Sequence, residues 1–269
     1  MNQTEAMQAR RSAPTAPGLK HLLGAAAGAL ALLAALPAAA AVIDFESQGA
    51  TTYGGGETFG EAGYTLRVLD SLIGAGDGGG AAGILINGRD AASCDVAACP
   101  AGNKSNYYGG INDGGLNISR DDHLGFHLSG LDFAFIAPIG GLVDYSYGQL
   151  VLTGNLVGGG SVRSTFSFPG QNGKGEFVFS GAGLNNGFRN ATLSGLTISA
   201  CLFGSGGGTC YNPAGNQAQF AIDNLNLSAV PEPETYLMLL SGLAGLGLLA
   251  RRRSTAAATA TATATNPTA

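Results

Sequence analysis

The sequence predicts an all-β protein: an antiparallel β-sandwich of jelly-roll type, flanked by an N-terminal signal peptide and a C-terminal transmembrane helix. Aromatic residues recur at every second position, as at Phe166 and Phe168 and again at Phe177 and Phe179. Such alternation places one face of a strand on a core and the other face in water. Glycine-rich interruptions break helices and suit turns, and no segment of residues 42–229 has a convincing amphipathic helical pattern.

About ten short strands separated by Gly, Asn and Asp turns are typical of a sandwich. The predicted strands are 42–46, 64–69, 83–86, 124–128, 131–137, 149–153, 162–168, 176–179, 192–203 and 218–227. Residues 74–115 have few aromatic residues and include one cysteine pair. We interpret this stretch as a long elaborated loop, and not as a second domain.

The N-terminal segment has the organisation of a secretory signal peptide. A basic stretch with Arg10, Arg11 and Lys20 precedes an apolar run at 22–36, and alanines follow up to Ala41. Small residues at this position are typical of signal peptidase cleavage, so we expect the mature chain to begin after about Ala41. A membrane anchor is the alternative, but the apolar run is short for a membrane span.

The C-terminal segment contains a proline-rich triplet, an apolar run and a basic cluster. The triplet ends the preceding fold, because proline fixes φ and has no amide hydrogen. An uncharged run of 16 residues follows, 235–250, and three arginines close it. This arrangement predicts a membrane segment with its basic end in the cytoplasm. The triplet is Pro231, Glu232 and Pro233, and the arginines are Arg251, Arg252 and Arg253.

This order of Pro-Glu-Pro, apolar run and arginines resembles the PEP-CTERM sorting signal of Gram-negative bacteria. The resemblance implies recognition by an exosortase, cleavage near the triplet and export of the body beyond the membrane. Gln219, Phe220 and Asp223 look like the signature of one subgroup of that family. The chain then divides into a signal peptide (1–41), a β-sandwich body (42–229), a sorting signal with a transmembrane helix (230–253) and a disordered Ala/Thr tail (254–269).

The body is acidic, with seven Lys and Arg against 15 Asp and Glu and a formal charge of −8. Nucleic-acid binding needs a basic face, so this balance argues against a nucleic acid as partner. An acidic surface is compatible with a soluble life outside the cell and with divalent cations.

The four cysteines fall in two close pairs, Cys94 with Cys99 and Cys201 with Cys210. An even number of cysteines in an exported chain predicts disulfides. Three connectivities are open, and we favour local pairing because each pair brackets a loop-like segment. A zinc site is the alternative, but neither spacing has a zinc pattern.

Acidic residues near the two ends of the body are candidate metal ligands. Asp44 and Glu46 share one face of the first predicted strand, and Asp223 lies in the last. These segments resemble the terminal strands of jelly rolls of the carbohydrate-binding-module type. The resemblance implies that the two strands pair and that their acids can hold a structural Ca²⁺, a cation that prefers several oxygen ligands. The alternative is that the carboxylates are ordinary solvent-facing groups.

Tyr145 and Tyr147 alternate on one predicted strand face and are candidate sugar-stacking platforms, because aromatic faces pack on the apolar faces of sugars. Ordinary packing within the sheet is the alternative, and the chain has no Trp, which would offer the largest stacking face. Catalysis has weaker signals. The sequence has no G-x-S-x-G motif, and its acids include no pair that the context marks as catalytic.

We therefore expect a non-enzymatic surface or extracellular-matrix protein that associates with exopolysaccharide in a biofilm. The Sec export machinery and an exosortase are its expected partners, and the C-terminal helix would hold the precursor in the inner membrane before processing. Two alternatives remain: a calcium-dependent, lectin-like carbohydrate-binding module, and a secreted enzyme that acts on polysaccharides.

Overall fold

The computed structural model describes residues 40–71, 80–90, 93–94, 98–204, 207–211, 218–230 and 239–248. The described residues up to 230 belong to one compact unit, the body, and residues 239–248 belong to another. The predicted signal peptide up to residue 39, the Pro-Glu-Pro triplet, the three arginines and the tail lie outside the described residues.

Fourteen strands lie in the described part of the body. They are β1 (Ala40–Ile43), β2 (Thr51–Gly54), β3 (Thr58–Glu61), β4 (Tyr64–Leu69), β5 (Ala81–Asn87), β6 (Asn106–Gly110), β7 (Gly115–Arg120), β8 (Phe126–Phe135), β9 (Gly148–Leu156), β10 (Ser161–Ser167), β11 (Ser180–Gly181), β12 (Leu193–Phe203), β13 (Cys210–Tyr211) and β14 (Phe220–Ala229). One short helix, α1 (Asn186–Arg189), precedes β12, and the Asn185 side chain caps it by accepting a hydrogen bond from the amide of Phe188.

All of these strands belong to one curled sheet that we divide into two leaves. Leaf A has the order β2-β5-β6-β14-β8, with β1 beside β14 and β11 beside β8. Leaf B has the order β3-β4-β7-β12-β9-β10, with β13 beside β12. A single residue pair, Leu193 opposite Phe126, joins the leaves. Every strand pairing is antiparallel, which confirms the predicted antiparallel all-β fold. The jelly-roll type stays a prediction.

A large apolar core contains buried side chains from both leaves. Leu128 and Phe135 contribute from β8, and Leu150 and Ile198 contribute from β9 and β12. Each such side chain stabilises the fold by about 1.5–3 kcal/mol when it is fully buried. This core explains why apolar residues alternate along the strands.

A second, smaller cluster also includes residues of leaf A. Ile84, Ile86 and Tyr107 belong to it, and the partly buried Cys94 and Phe179 pack against it. Successive side chains of a strand point to opposite faces, so Tyr107 and its neighbour Tyr108 enter different clusters. Leaf A is therefore covered on both faces where β5 and β6 run.

The structure corrects three parts of the strand prediction. The predicted long loop at 74–115 contains β6 and the start of β7 in addition to β5. The predicted strands 124–128 and 131–137 are one continuous strand, β8. Residues 176–179 form only isolated bridges, Gln171 with Phe177 and Ala101 with Val178, because this segment covers leaf A without joining its ladder.

The first and last strands of the body pair with each other, as the resemblance to carbohydrate-binding jelly rolls implied. The register places Ala41 opposite Leu227 and Ile43 opposite Leu225. Cleavage after Ala41 would fall inside β1 and leave Val42 and Ile43 on β14. The N-terminus expected after processing therefore lies at a strand pairing of the body.

Both disulfides form within the predicted local pairs, Cys94–Cys99 and Cys201–Cys210. The first lies in the segment that covers the second face of leaf A. The second joins β12 to β13, where Phe203 is paired with Cys210 and Leu202 with Tyr211.

Residues 239–248 are helical and fall within the predicted transmembrane run. Among the helices of the described residues, none has the length and apolar character needed to cross a membrane.

We expect Gly110→Ala to destabilise the body, because the added Cβ would overlap Cε1 of the Phe220 ring. The Phe220 ring is fully buried and cannot turn away without displacing the core. The expected loss is about 1–3 kcal/mol in the free energy of unfolding, measured by denaturant titration. Gly130→Ala in β8 is the control, since nothing lies within 4 Å of its added Cβ. Equal losses in both variants would contradict this packing argument.

Candidate functional site

The two predicted metal ligands of the first strand segment lie just after β1 and have separate partners. The Asp44 carboxylate accepts a hydrogen bond from the Glu46 amide at 3.2 Å. The Glu46 carboxylate accepts one from the Asn106 amide at 2.7 Å, which ties the end of β1 to the start of β6. These acids therefore hold backbone segments together.

Glu61 was missed by the sequence analysis. It is the last residue of β3, before a two-residue turn in which Ala62 and Gly63 have φ of 51° and 81°. Its side chain is only 9% exposed and reaches under the first strand, where Oε1 accepts hydrogen bonds from the amides of Asp44 at 3.3 Å and Phe45 at 2.9 Å. The turn signal at Ala62-Gly63 marks the hairpin, but it does not reveal this long-range contact.

The environment of Glu61 favours its protonated form. Burial raises the pKa of Glu61 to about 7, and a hydrogen bond to the Asp44 side chain contributes to the rise, whereas the two backbone donors oppose it. The second oxygen, Oε2, is buried and receives no donor from the protein. Glu61 is therefore an acid whose protonation state changes near neutral pH.

Asp223 lies in β14 and is fully buried. Its Oδ2 accepts hydrogen bonds from Asn103 Nδ2 and Ser105 Oγ, both at 2.7 Å, and its Oδ1 accepts one from the Asn224 amide at 2.7 Å. Burial raises the pKa of Asp223, and these three donors act in the opposite direction. The carboxylate thus fastens the segment around residue 103 to the last strand.

The three predicted calcium ligands do not come together. Asp44, Glu46 and Asp223 each have a different set of partners, and the described residues include no group of three or more His, Cys, Asp and Glu able to hold a metal ion. The prediction rested on strand parity for Asp44 and Glu46 and on the resemblance to carbohydrate-binding jelly rolls for Asp223. Contacts between residues distant in sequence decide where each carboxylate points. Glu61 is the acid that the structure brings to Asp44 instead.

The predicted tyrosine pair is also placed differently. Residues 138–147 form no strand, so Tyr145 and Tyr147 do not alternate on a sheet face. The Tyr147 ring stacks on Phe135 with centroids 5.6 Å apart, and its hydroxyl donates to the Val143 carbonyl at 3.0 Å. Tyr147 is thus a packing residue. Tyr145 meets it edge-on and is 52% exposed.

A second exposed tyrosine, Tyr211, lies near Gly204, and Gly207 lies near Tyr145. The amide of Gly207 donates to the carbonyl of Gly204 at 2.8 Å. A Cβ built on Gly207 would lie 4.0 Å from the Tyr145 hydroxyl, and one built on Gly204 would lie 3.7 Å from the Tyr211 ring. Tyr211 is 52% exposed. We call Tyr145, Tyr211, Gly204 and Gly207 the tyrosine patch.

The described residues also line a cleft of about 500 Å³ beside the first disulfide. Ile86 and the buried Tyr107 contribute apolar side chains, and the disulfide Cys94–Cys99 forms part of the wall. Four charged side chains line it as well: Arg89, Asp90, Lys104 and Glu176. The sequence showed no sign of this cleft, because its residues come from three separate segments.

Residues 229–253 match the family model described as the PEP-CTERM protein-sorting motif. The chain carries a PEP-CTERM sorting signal. This motif indicates an exported protein that an exosortase processes and that resides at the cell surface or in the envelope. The resemblance inferred from the Pro-Glu-Pro triplet and the arginines is thereby confirmed, and the motif begins at the last residue of β14.

The curated proteins include no match to this chain. Two solved structures are similar to it. TmCBM61 in complex with β-1,4-galactotriose has a TM-score of 0.32 at 13% identity, over 61% of this chain and 88% of that chain. The arabinose-bound MgGH51 α-L-arabinofuranosidase has a TM-score of 0.34 at 11% identity, over 71% of this chain and 26% of that chain. At these TM-scores the likenesses carry no argument about the ligand of this chain.

The stability of the body should depend on pH through Glu61. Its folded-state pKa of about 7 exceeds the ordinary value of 4.5, so the folded protein binds the proton more tightly than the unfolded chain does. The stabilising contribution is therefore fully present below about pH 4.5 and is lost as the pH rises through 7. Glu61→Gln keeps an oxygen that can accept from the amides of Asp44 and Phe45, and its side chain does not ionise. The fall in the stability of the body with rising pH should therefore disappear in this variant. Denaturant unfolding at pH 5 and pH 8 measures it.

Glu57→Gln is the matched control for this experiment. Glu57 is exposed, and its carboxylate accepts a hydrogen bond from the Gly54 amide at 2.8 Å. We expect this variant to keep the wild-type fall in stability between pH 5 and pH 8. If Glu61→Gln also showed this fall, Glu61 would not be its source.

Proposed function

We propose that the mature body is a non-enzymatic protein of the cell surface or extracellular matrix that contacts exopolysaccharide, as in a biofilm. The sorting motif at residues 229–253 is the observation that carries this proposal. In this proposal the Sec machinery exports the precursor through its signal peptide, and the C-terminal helix holds it in the inner membrane until the exosortase acts. The two disulfides support the proposal, because such bonds persist in oxidising compartments outside the cytoplasm.

The tyrosine patch supports polysaccharide contact. Tyr145 and Tyr211 each leave about half of their side chain open to water, and Gly204 and Gly207 beside them add no side chains. A tyrosine ring offers an apolar face to a sugar ring and a hydroxyl to its polar rim. The Cys201–Cys210 disulfide restrains the hairpin that carries Tyr211, which lowers the entropy that binding would remove.

The position of Glu61 argues against this acid as a catalytic residue. A general acid or base works best with a pKa near the operating pH, and the pKa of Glu61 is about 7. However, its carboxyl group is buried against the backbone of Asp44 and Phe45, where a polysaccharide chain has no access. This acid therefore suits a structural role.

The calcium-dependent lectin is the second candidate, and the buried Oε2 of Glu61 favours it. Oε2 of Glu61 has no donor from the protein and the Asp44 side chain lies nearby, so these two acids would supply part of the oxygen set that Ca²⁺ needs. The described residues bring no third acid to them. Calcium at pH 7.5 should then raise the melting temperature of the wild type but not that of Glu61→Gln. Glycan binding should also fall on addition of EDTA. If the melting temperature does not change with calcium and glycan binding does not change with EDTA, the calcium-dependent lectin is excluded.

Replacing Pro231, Glu232 and Pro233 with alanine should block maturation. In a host with an exosortase, the wild type should appear as a shortened product outside the inner membrane, and the variant should accumulate as a membrane-bound precursor. Immunoblots of fractionated cells measure both species.

The matched control for the sorting experiment replaces residues 266–268 of the tail, which also include a proline. Its processing should equal that of the wild type. Normal shortening of the Pro-Glu-Pro variant would contradict exosortase processing at the triplet.

Replacing both Tyr145 and Tyr211 with leucine should weaken binding to the exopolysaccharide of the host by about three- to tenfold. Leucine keeps apolar bulk but loses the flat ring and the hydroxyl. Affinity electrophoresis measures the change. Phenylalanine at both positions should keep most of the affinity, and Val157→Ala, which removes an exposed apolar side chain elsewhere, should have no effect. Equal weakening by Val157→Ala would contradict a specific role for the rings.

A further inference from the structure

The strand β10 forms one edge of leaf B and, within the described residues, pairs with β9 alone. Its register with β9 continues from Ser161 to Ser167 without a shift. Edge strands of soluble proteins are usually protected from pairing with another chain by short length, by proline, by bulges or by several charges. β10 has seven residues, no proline and a single charged side chain, Arg163. This edge therefore has little protection against an added strand.

The alternation of hydrogen bonds along β10 identifies the backbone groups that face away from β9. The amide of Leu156 donates to the Gly160 carbonyl at 3.1 Å, and the amide of Phe168 donates to the Gly148 carbonyl at 3.0 Å. The even-numbered residues of β10 therefore bond to β9, and the odd-numbered residues present their amide and carbonyl groups at the outer edge. No described residue forms a backbone hydrogen bond with these outward groups. The odd-numbered residues are Ser161, Arg163, Thr165 and Ser167.

The apolar side chains of β10 are only partly buried. Val162 and Phe166 pack against the large core without being fully covered, whereas Leu150 and Leu152 of the neighbouring β9 are fully buried. α1 also contacts β10, but no hydrogen bond joins the backbones of these two described elements. A strand added beyond β10 would therefore cover apolar surface in addition to bonding the outward backbone groups.

The charge of the body is distributed unevenly along the chain. Residues 42–144 contain four Lys and Arg against 13 Asp and Glu, whereas residues 145–229 contain three Lys and Arg against two Asp and Glu. β10 and its neighbours in leaf B, β9 and β12, belong to the second range. Two copies of the body that meet at this edge would therefore approach each other through the part of the chain with little net charge, which limits their repulsion.

We propose that β10 pairs, in antiparallel orientation, with β10 of a second copy of this chain and so extends leaf B across both copies. In a two-fold pairing centred on Ser164, polar residues face polar residues and apolar residues face apolar residues. The same register brings the outward backbone groups opposite each other, which gives about eight hydrogen bonds. This self-association is independent of the ligand proposed for the body. The facing residues are Ser161 with Ser167, Val162 with Phe166, and Arg163 with Thr165.

Two charge substitutions of the exposed Thr165 test this register, because each copy places the residue opposite Arg163 of the partner subunit. Thr165→Glu creates two pairs of opposite charge and should strengthen dimerisation by about three- to tenfold, and Thr165→Lys creates two pairs of like charge and should weaken it by a similar factor. Bulk charge predicts the reverse order, since Glu adds to the net charge of −8 and Lys reduces it. Sedimentation equilibrium of the processed protein, purified from a host with an exosortase, measures the dissociation constants.

A third variant, Thr165→Pro, removes an outward amide and leaves the hydrogen bonds to β9 in place, because proline is tolerated where the amide of an edge strand faces solvent. It should weaken dimerisation by at least about tenfold, since the pairing loses a symmetric pair of backbone hydrogen bonds and meets the proline ring. Melting curves verify that all three variants are folded, and the two charge variants test the register even where the proline variant is unstable.

Dimerisation that is stronger than wild type in Thr165→Glu and weaker in Thr165→Lys supports pairing through β10. Any other order of these three dissociation constants overturns it, and so does a folded Thr165→Pro variant that dimerises as the wild type does. A wild type that remains monomeric up to millimolar concentration also overturns it. None of these outcomes bears on the proposed contact with exopolysaccharide, which the variants of Tyr145 and Tyr211 test separately.

Discussion

The hydrogen bonding of β14 along both of its edges is the constraint on which the rest of the body depends. One edge pairs with β8, and the other pairs first with β6 and then with β1. A register shift follows Asp223, where Asn224 has a φ of 51°. That irregularity lies where the neighbour on one edge changes from β6 to β1. The strand thus fixes the first segment of the body, one side of the cleft through Asp223, and the start of the sorting motif.

The two disulfides stand beside the two candidate contact surfaces. Cys94–Cys99 lines the cleft, and Cys201–Cys210 closes the hairpin that ends at Tyr211. Segments that bind ligands are commonly irregular and lie on a rigid scaffold, and here the irregular segments have little core of their own. A covalent link limits their alternative conformations where apolar packing is sparse. Export to an oxidising compartment therefore allows the disulfides to form, and the disulfides restrain the segments at both surfaces.

The strands that could be predicted from the sequence are those with one face on the core and the other face exposed to solvent. β4 was predicted at 64–69 and lies at Tyr64–Leu69, since apolar and polar residues alternate along it. β6 has no such alternation, because Tyr107 and Tyr108 are buried on opposite faces. The segment that covers Tyr107 lies elsewhere in the chain, so local sequence gives no sign of it. A strand that is covered on both sides and rich in glycine looks like a loop.

The candidate sites could be predicted only where the residues that form them are close together in the sequence. The cysteine pairs and the sorting signal depend on neighbours in sequence, and both are confirmed. The calcium ligands required knowledge of tertiary partners: Glu46 bonds to an amide 60 residues away, and Glu61 reaches Phe45 from the next hairpin. Tyr145 is exposed and meets the Tyr147 ring edge-on, but the two residues do not lie on a strand, and Tyr147 is packed on Phe135.

The attachment of the sorting motif to β14 has a mechanical consequence. Ala229 is still paired with Phe126, and the Val230 amide donates to the Gly125 carbonyl at 3.0 Å. A force applied at this end of the body acts along the axis of β14. Ladder hydrogen bonds lie perpendicular to that axis, so the force shears many of them at once instead of opening them singly. A pull on the chain at Val230 would therefore load the β8–β14 ladder in shear.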